Sequence, residues 1–282
     1  MRVLVTGAGG MLGRAVARHL KAQGDEVSAH DHRSLDITDA AALRACFERE
    51  RPRVVINCAA WTDVDGCELD PPRAYLVNAH GPEQLAVNSR RVGARLITVS
   101  TDYVFDGAKD GFYTQRDDPS PQSVYAASKL EGERRAQTSC ARTLVVRSGW
   151  IFGVGGRNFL SNVVERARRG EHLSAIGDAY GTPTYAPDLA ARLRELAELD
   201  LPGLYHVVNS GGGTSYEGFA RVALAAAGID AATIQGVSMD SLSRPAPRPR
   251  NSRLRCLISE ALGLRPLRPW QAAVADFVAL NG

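Results

Sequence analysis

The chain has 282 residues, 44% of them hydrophobic, with 34 basic side chains against 31 acidic ones and a formal net charge of +3. That near balance excludes a strong field for nucleic acid or a charged membrane surface, and no apolar stretch approaches the ~18 residues of a membrane span. Five cysteines without a CxxC pair read as reduced thiols in a cytoplasmic protein with no metal site, not as a disulfide frame.

The first apolar run, residues 3–5, leads into Thr6-Gly7-Ala8-Gly9-Gly10-Met11-Leu12-Gly13, the pattern of a strand that turns at once into a helix. Gly7 suits the turn, Gly10 the approach of backbone to a pyrophosphate, and Gly13 the close packing of helix on strand. Leu12, Val16 and Leu20 then form one apolar stripe that faces the sheet, while the helix N-terminus points its N–H groups at phosphates. Gly7, Gly10, Met11, Leu12 and Gly13 are therefore assigned to a dinucleotide. A tight turn with no ligand is the competing reading of the glycines alone.

The second strand, residues 26–31, ends in Asp31, close to the offset of about 20 residues at which a carboxylate bonds the adenosine ribose. Asp31 repels a 2′-phosphate whereas His32 and Arg33 can bind one, so NADPH and NADH both stay open as cofactor. Asp36 and Ile37 follow; Asp36 is placed for the adenine amino group or for solvent. Thr38-Asp39 reads as a helix N-cap.

Further apolar runs at 54–56, 96–99 and 144–146 alternate with helix-length segments, the rhythm of parallel βαβ units. The expected fold class is α/β, a doubly wound parallel (Rossmann) sheet in a dinucleotide-binding domain, residues 1–150. Residues 151–282 are expected to be mostly a smaller C-terminal substrate-binding lobe, with some elements returning to the first sheet. Helices are expected at 158–169, 188–199 and 215–227 and a strand at 204–208. Cys58, at a strand end, is expected in the core.

Ligands of such a sheet lie beyond the carboxyl ends of its strands. Thr101 sits there, with a hydroxyl that can donate to a substrate carbonyl; Ser100 is expected on the opposite side because strand side chains alternate, and so is the second choice for that role. Tyr125 and Lys129 share one helical face. A free phenol, with a pKa of about 10, is a sluggish acid near neutrality; an ammonium ~6 Å away at an effective dielectric of ~20 is expected to bring it to about 8. Thr101, Tyr125 and Lys129 thus form a candidate group for hydride-transfer chemistry, with Lys129 also reaching the nicotinamide ribose. The basic, proline-rich stretch 244–255 has no aromatic platform for bases and reads as a phosphate-binding or solvated loop.

Five motifs then stand in a telling order: Ser100-Thr101-Asp102-Tyr103-Val104-Phe105-Asp106-Gly107, Tyr125-Ala126-Ala127-Ser128-Lys129-Leu130-Glu131-Gly132-Glu133, Arg147-Ser148-Gly149-Trp150, Gly181-Thr182-Pro183-Thr184 and Arg248-Pro249-Arg250-Asn251-Ser252. Together with the glycine turn they resemble the dTDP-4-dehydrorhamnose reductase family, within the extended short-chain dehydrogenase/reductase superfamily, over nearly the whole chain. The later motifs discriminate, since generic nucleotide-sugar epimerases share only the earlier set.

The resemblance implies NAD(P)H-dependent reduction of the 4-keto group of dTDP-4-dehydro-L-rhamnose to dTDP-L-rhamnose. By position it assigns Thr101, Tyr125 and Lys129 to catalysis, Ala59, Ala60 and Val77 to the cofactor, and Thr62, Val64, Tyr103 and Trp150 to the sugar or nucleotide. Arg248 and Asn251 fall on the substrate side, where a nucleotide-sugar pyrophosphate needs cations. The chain departs from the family at Ala126, usually glycine, and at Asp178-Ala179-Tyr180, where Asp-Gln usually precedes Gly-x-Pro-Thr; the second departure leaves a different 4-keto sugar open. Two alternatives stand beside this reading. One is a regulatory NADP-binding subunit resembling that of methionine adenosyltransferase. The other is a further nucleotide-sugar reductase, epimerase or dehydratase, although the chain shows Thr101-Asp102 but not the Asp-Glu pair usual in dehydratases. The expected partner is a nucleotide-sugar substrate, with no nucleic acid and no membrane, and a homodimer is left open.

Overall fold

The five apolar runs become β1 (Arg2–Thr6), β2 (Glu26–His30), β3 (Val54–Asn57), β4 (Arg95–Thr101) and β5 (Thr143–Ser148) in a computed structural model that describes residues 1–156, 158–230 and 234–281. They pair in parallel in the order β5-β4-β3-β1-β2, and a sixth strand, β6 (Gly203–His206), adds in parallel to β5. Strands β3 and β5 are buried along their whole length, as expected of a parallel sheet covered on both faces.

The covering helices are α1 (Met11–Ala22), α2 (Ala40–Glu50), α3 (Gly81–Val92), α4 (Val124–Ser139) and α5 (Ala186–Leu199). Alternation along β1 divides the core between two faces. Val3 and Val5 pack with Val16 and Leu20 of α1 and Leu189 and Leu193 of α5. Leu4 points the other way, into a cluster with Leu43 and Phe47 of α2, Leu85 of α3 and Ala136 of α4. Asp39 caps α2 by accepting from the Ala41 and Ala42 N–H groups, and Ser123 caps α4 by accepting from the Ala126 N–H.

Beyond β5 the elements are shorter. The helix expected at 158–169 is a 3₁₀ turn, Phe159–Asn162, followed by an α-helical turn and a half, Val163–Arg168, because Asn158 caps the first turn from within the expected span. Helices α6 (Tyr216–Ala226) and α7 (Trp270–Asn281) enclose an aromatic cluster of Phe152, Tyr185, Phe219, Trp270 and Phe277. Two-stranded ladders join Ile151–Phe152 to Thr184–Tyr185 and Tyr180–Gly181 to Thr214–Ser215. Among the described residues no helix is long and apolar enough to cross a membrane. All five cysteines are free.

Candidate active site

The glycine turn lies where β1 meets α1, and two of its glycines are fixed by the fold itself. Gly7 has φ +71°, and a Cβ there would fall 2.5 Å from the Ala59 nitrogen; at Gly13 it would fall 2.2 Å from the Gly7 carbonyl oxygen. Gly10 is less crowded, with only the Gly7 oxygen near at 3.3 Å. It caps α1 without any side-chain hydrogen bond, so the first-turn N–H groups face the cleft with no side-chain acceptor. That is the donor set an anionic pyrophosphate fits.

Two clefts meet at this turn. One, of about 720 Å³, is lined by Gly7, Gly10, Asp31, His32, Arg33, Asp36, Ile37, Ala59, Ala60 and Val77. The other, of about 530 Å³, is lined by Met11, Leu12, Gly13, Thr62, Val64, Thr101, Tyr103, Tyr125, Lys129 and Trp150, with Gly10 and Ala60 shared between the two. Cys58 also lines both, which corrects its expected place in the core: it follows the last residue of β3, where the sheet opens. Burial pushes its thiol up to about 12.

In the first cleft Asp31 is committed to its own turn. Its Oδ1 accepts from the Ser34 N–H at 2.9 Å, the Ser34 hydroxyl at 3.0 Å and the Arg33 N–H at 3.1 Å, and the bonds from Ser34 hold its carboxyl below the usual range. Asp36 likewise accepts from the N–H and the hydroxyl of Thr38, both at 2.8 Å. The Arg33 side chain is exposed at the mouth of the cleft.

In the second cleft Thr101 ends β4 and Tyr125 stands in the first turn of α4, with Lys129 one turn further on. The Lys129 Nζ donates to the Val99 carbonyl at 2.8 Å. Tyr103 meets Tyr125 edge-on, with ring centres 6.2 Å apart. The titration of the pair differs from the sequence expectation. Burial pushes the Tyr125 phenol above its ordinary value, against the opposing pull of the Thr101 hydroxyl, and burial brings the Lys129 ammonium down to about 8. An expectation built on ion attraction in a screened medium omits the cost of taking both charged forms out of water, and here that cost dominates.

Three further residues line this cleft: Ser100, the sequence's second choice after Thr101, expected on the other side of the strand; Asp102, given no role of its own by the sequence; and Tyr216, which the sequence does not mark as a site residue. Ser100 lines the same cleft as Thr101, with its hydroxyl buried and without a hydrogen-bond partner among the described residues. Asp102 is buried beside it, and burial raises its carboxyl to about 6 against the opposing effects of Ser252 and Thr101. Tyr216, from α6, stacks on Trp150 with ring centres 3.8 Å apart. Trp150 itself has φ +46°, and Gly181 leaves room for its ring, since a Cβ there would come within 2.2 Å of it.

The structure does not bring Arg248 or Asn251 to the cleft lining. Arg248 grips Asp65 with both terminal nitrogens, Nη2 donating to Oδ2 at 2.8 Å, and also donates to the Ala246 carbonyl. Asn251 is buried and spent on backbone: its Nδ2 donates to the Gly111 carbonyl at 2.8 Å and to that of Lys109, while Oδ1 accepts from Arg253. The proline-rich loop folds onto the segments around Tyr113 and Tyr180 through bridges at Tyr113–Leu254 and Tyr180–Asn251, which directs these side chains inward to protein partners. The unusual Asp178 belongs to the same clamp, accepting from the Ser238 hydroxyl, the Met239 N–H and Arg250.

Comparison with known proteins accords with this geometry. The model of the RmlD substrate binding domain family matches residues 1–281. A dTDP-4-dehydrorhamnose reductase of Streptomyces griseus is 41% identical, over 100% of this chain and 94% of its own. One of Mycobacterium tuberculosis is 40% identical over 99% and 92%. Among solved structures, a dTDP-4-dehydrorhamnose reductase of Clostridium acetobutylicum superposes with a TM-score of 0.95 at 36% identity, covering 99% of both chains. That of Bacillus anthracis, in complex with NADP, gives a TM-score of 0.95 at 32% identity, also over 99% of both.

Proposed function

The chain belongs to the dTDP-4-dehydrorhamnose reductase family, and from that premise we propose that it reduces the 4-keto group of dTDP-4-dehydro-L-rhamnose to dTDP-L-rhamnose with NADPH, NADH also serving. The observation that carries the reading is the single cleft holding Thr101, Tyr125 and Lys129, continuous with the cleft beneath the glycine turn. Its five free cysteines suit the reducing cytoplasm.

The α1 N-terminus and the glycine turn would hold the cofactor pyrophosphate, Ala59, Ala60, Ile37 and Val77 the adenosine, and His32 and Arg33 a 2′-phosphate. The dinucleotide, when bound, supplies a hydride. The chain supplies the proton. Tyr125 donates its phenolic proton to the carbonyl oxygen as negative charge grows there; its raised pKa keeps the proton in place until that oxygen is the stronger base. Lys129, in its charged form, then stabilises the phenolate, and Thr101 steadies the same oxygen. Thr62, Val64, Tyr103 and Trp150 wall the sugar and nucleotide side.

The test is NADPH consumption with dTDP-4-dehydro-L-rhamnose beside other nucleotide 4-keto sugars. One NADPH oxidised per sugar reduced, fastest with the rhamnose precursor, is the expected result. Cofactor binding without consumption for any sugar would overturn the reading in favour of a binding subunit. Faster turnover of another sugar would move the substrate.

A further inference from the structure

Thr101 has one hydroxyl proton, and its direction decides what the residue can do. In the structure Oγ1 donates it to Asp102 Oδ1 at 3.1 Å and accepts the Tyr103 backbone N–H at 3.1 Å. An ionised carboxylate only accepts hydrogen bonds, so while Thr101 serves one it has no proton left for a carbonyl oxygen in the cleft. Donation to that oxygen is nevertheless what ketone reduction asks of it.

Asp102 is firmly built in. It is 3% exposed, and Gly149 leaves the space it fills, since a Cβ there would lie 2.5 Å from both Cγ and Oδ2. The buried Ser252 hydroxyl stands beside the carboxyl, from the loop that also carries Arg248. Its Oδ2 is buried without an aligned hydrogen bond among the described residues. The other titratable groups facing it are the phenols of Tyr103, Tyr125 and Tyr216, all kept neutral by burial. The guanidinium groups of Arg244 and Arg248 act electrostatically on Tyr103 and Tyr216.

We infer that Asp102 is a positioning residue that sets the direction of the Thr101 hydroxyl: as a neutral acid it donates to Oγ1 and turns the threonine proton toward the substrate's carbonyl oxygen, and as an anion it takes that proton back. Thr101 has two lone pairs, enough for the Tyr103 N–H and the Asp102 O–H together, so the donor arrangement is complete. Burial favours the neutral acid, raising the carboxyl to about 6. The inference rests on the reductase reading and refines which state of Thr101 performs it.

The experiment measures kcat for reduction against pH in the wild type, Asp102→Asn and Ser252→Ala, with NADPH titration confirming an intact cleft. Wild-type kcat is expected to fall about tenfold as pH rises through the Asp102 titration. Asp102→Asn, whose amide donates to Thr101 at every pH, should lose that inflection and keep KM. Ser252→Ala removes a hydroxyl that favours the anion, so its inflection should move to higher pH. An infrared titration of the free protein should show a buried carboxylic acid band near pH 6 that is missing in Asp102→Asn. If Asp102→Asn fails to bind NADPH, the Ser252→Ala shift and the wild-type infrared band decide. A wild type that consumes no NADPH at any pH overturns the reductase reading and this inference with it. An active wild type whose inflection survives in Asp102→Asn, or stays fixed in Ser252→Ala, overturns this inference alone.

Discussion

Arg147, near the end of β5, holds Glu133 of α4 in a two-pronged ion pair sealed from solvent: Nη2 to Oε2 is 2.7 Å, Nε to Oε1 is 3.0 Å, and each side chain is 4% exposed. The guanidinium also lies over the Phe105 ring, 5.2 Å from its centre. Glu133 is one turn from Lys129 and favours its charge, so the pair braces α4, which carries Tyr125 and Lys129, against the strand next to β4.

Glu133→Ala leaves the Arg147 charge buried and unpaired, and should lower the unfolding free energy by about 3–5 kcal/mol. Replacing both partners, as Glu133→Leu with Arg147→Met, removes the stranded charge and should recover most of that loss. Urea denaturation of the three proteins checks it. A loss under about 1 kcal/mol in the single variant would mean the pair is open to water.

Tyr125→Phe should leave NADPH binding intact and reduce turnover about a hundredfold or more, the scale of losing a general acid. Stopped-flow kinetics beside a cofactor titration separates the two effects. Turnover within about threefold of the wild type would remove Tyr125 from the chemistry.

Arg33 is exposed and lines the cleft that also holds Asp31 and Val77, with no ion pair to its guanidinium among the described residues, so on the proposed function it can meet a 2′-phosphate. Arg33→Ala should weaken NADPH about tenfold or more and leave NADH nearly unchanged, as expected for loss of a charge-assisted contact. Equal weakening of both dinucleotides in calorimetry would place Arg33 outside the phosphate site.

His206 links stability to pH. Its Nδ1 lies 3.0 Å from the Arg255 carbonyl and 3.3 Å from that of Tyr113, both acceptors, so Nδ1 carries the hydrogen. Burial, aided by the Arg147 charge, brings the imidazole down to about 4. Above its ordinary pKa of about 6.5 both folded and unfolded chains hold it neutral and it contributes no slope. As pH falls from there toward 4 the unfolded chain binds a proton that the folded one refuses, and the His206 contribution to stability drops by about 1.4 kcal/mol per pH unit, about 3 kcal/mol in all. The raised Asp102 carboxyl gives a slope of opposite sign below about pH 6, because there the folded chain holds a proton that the unfolded one has lost. Chemical denaturation should therefore show the His206 slope as the difference between the wild type and His206→Gln across that window, the Asp102 contribution being common to both.

What the sequence made legible was local. The glycine turn follows from three positions within one strand-to-helix junction, and Tyr125 and Lys129 meet because four residues make about one helical turn. Periodicity likewise marked β1 to β5, since buried parallel strands are apolar runs. What it concealed came from residues distant along the chain. Arg248 looks free in sequence, yet its partner, Asp65, lies 183 residues away. The phenol of Tyr125 looks accessible until Tyr103, Val64 and Cys67 are gathered around it. Asp102 was visible as a neighbour of Thr101, but its burial depends on Gly149 and Ser252, which only the tertiary structure brings there.

The edge position of β6 bears on how such enzymes can be recombined. Its residues come from the later half of the chain, yet they extend the sheet beside β5, while α5 shares a core face with α1. A hybrid joined at residue 150, taking its later half from a relative with another sugar preference, would exchange an outer strand and half of a helical layer along with the specificity walls. Interchangeable cassettes are better cut to spare β6 and α5, transplanting the aromatic segment around Tyr216 and the clamp around Ser252 as separate inserts.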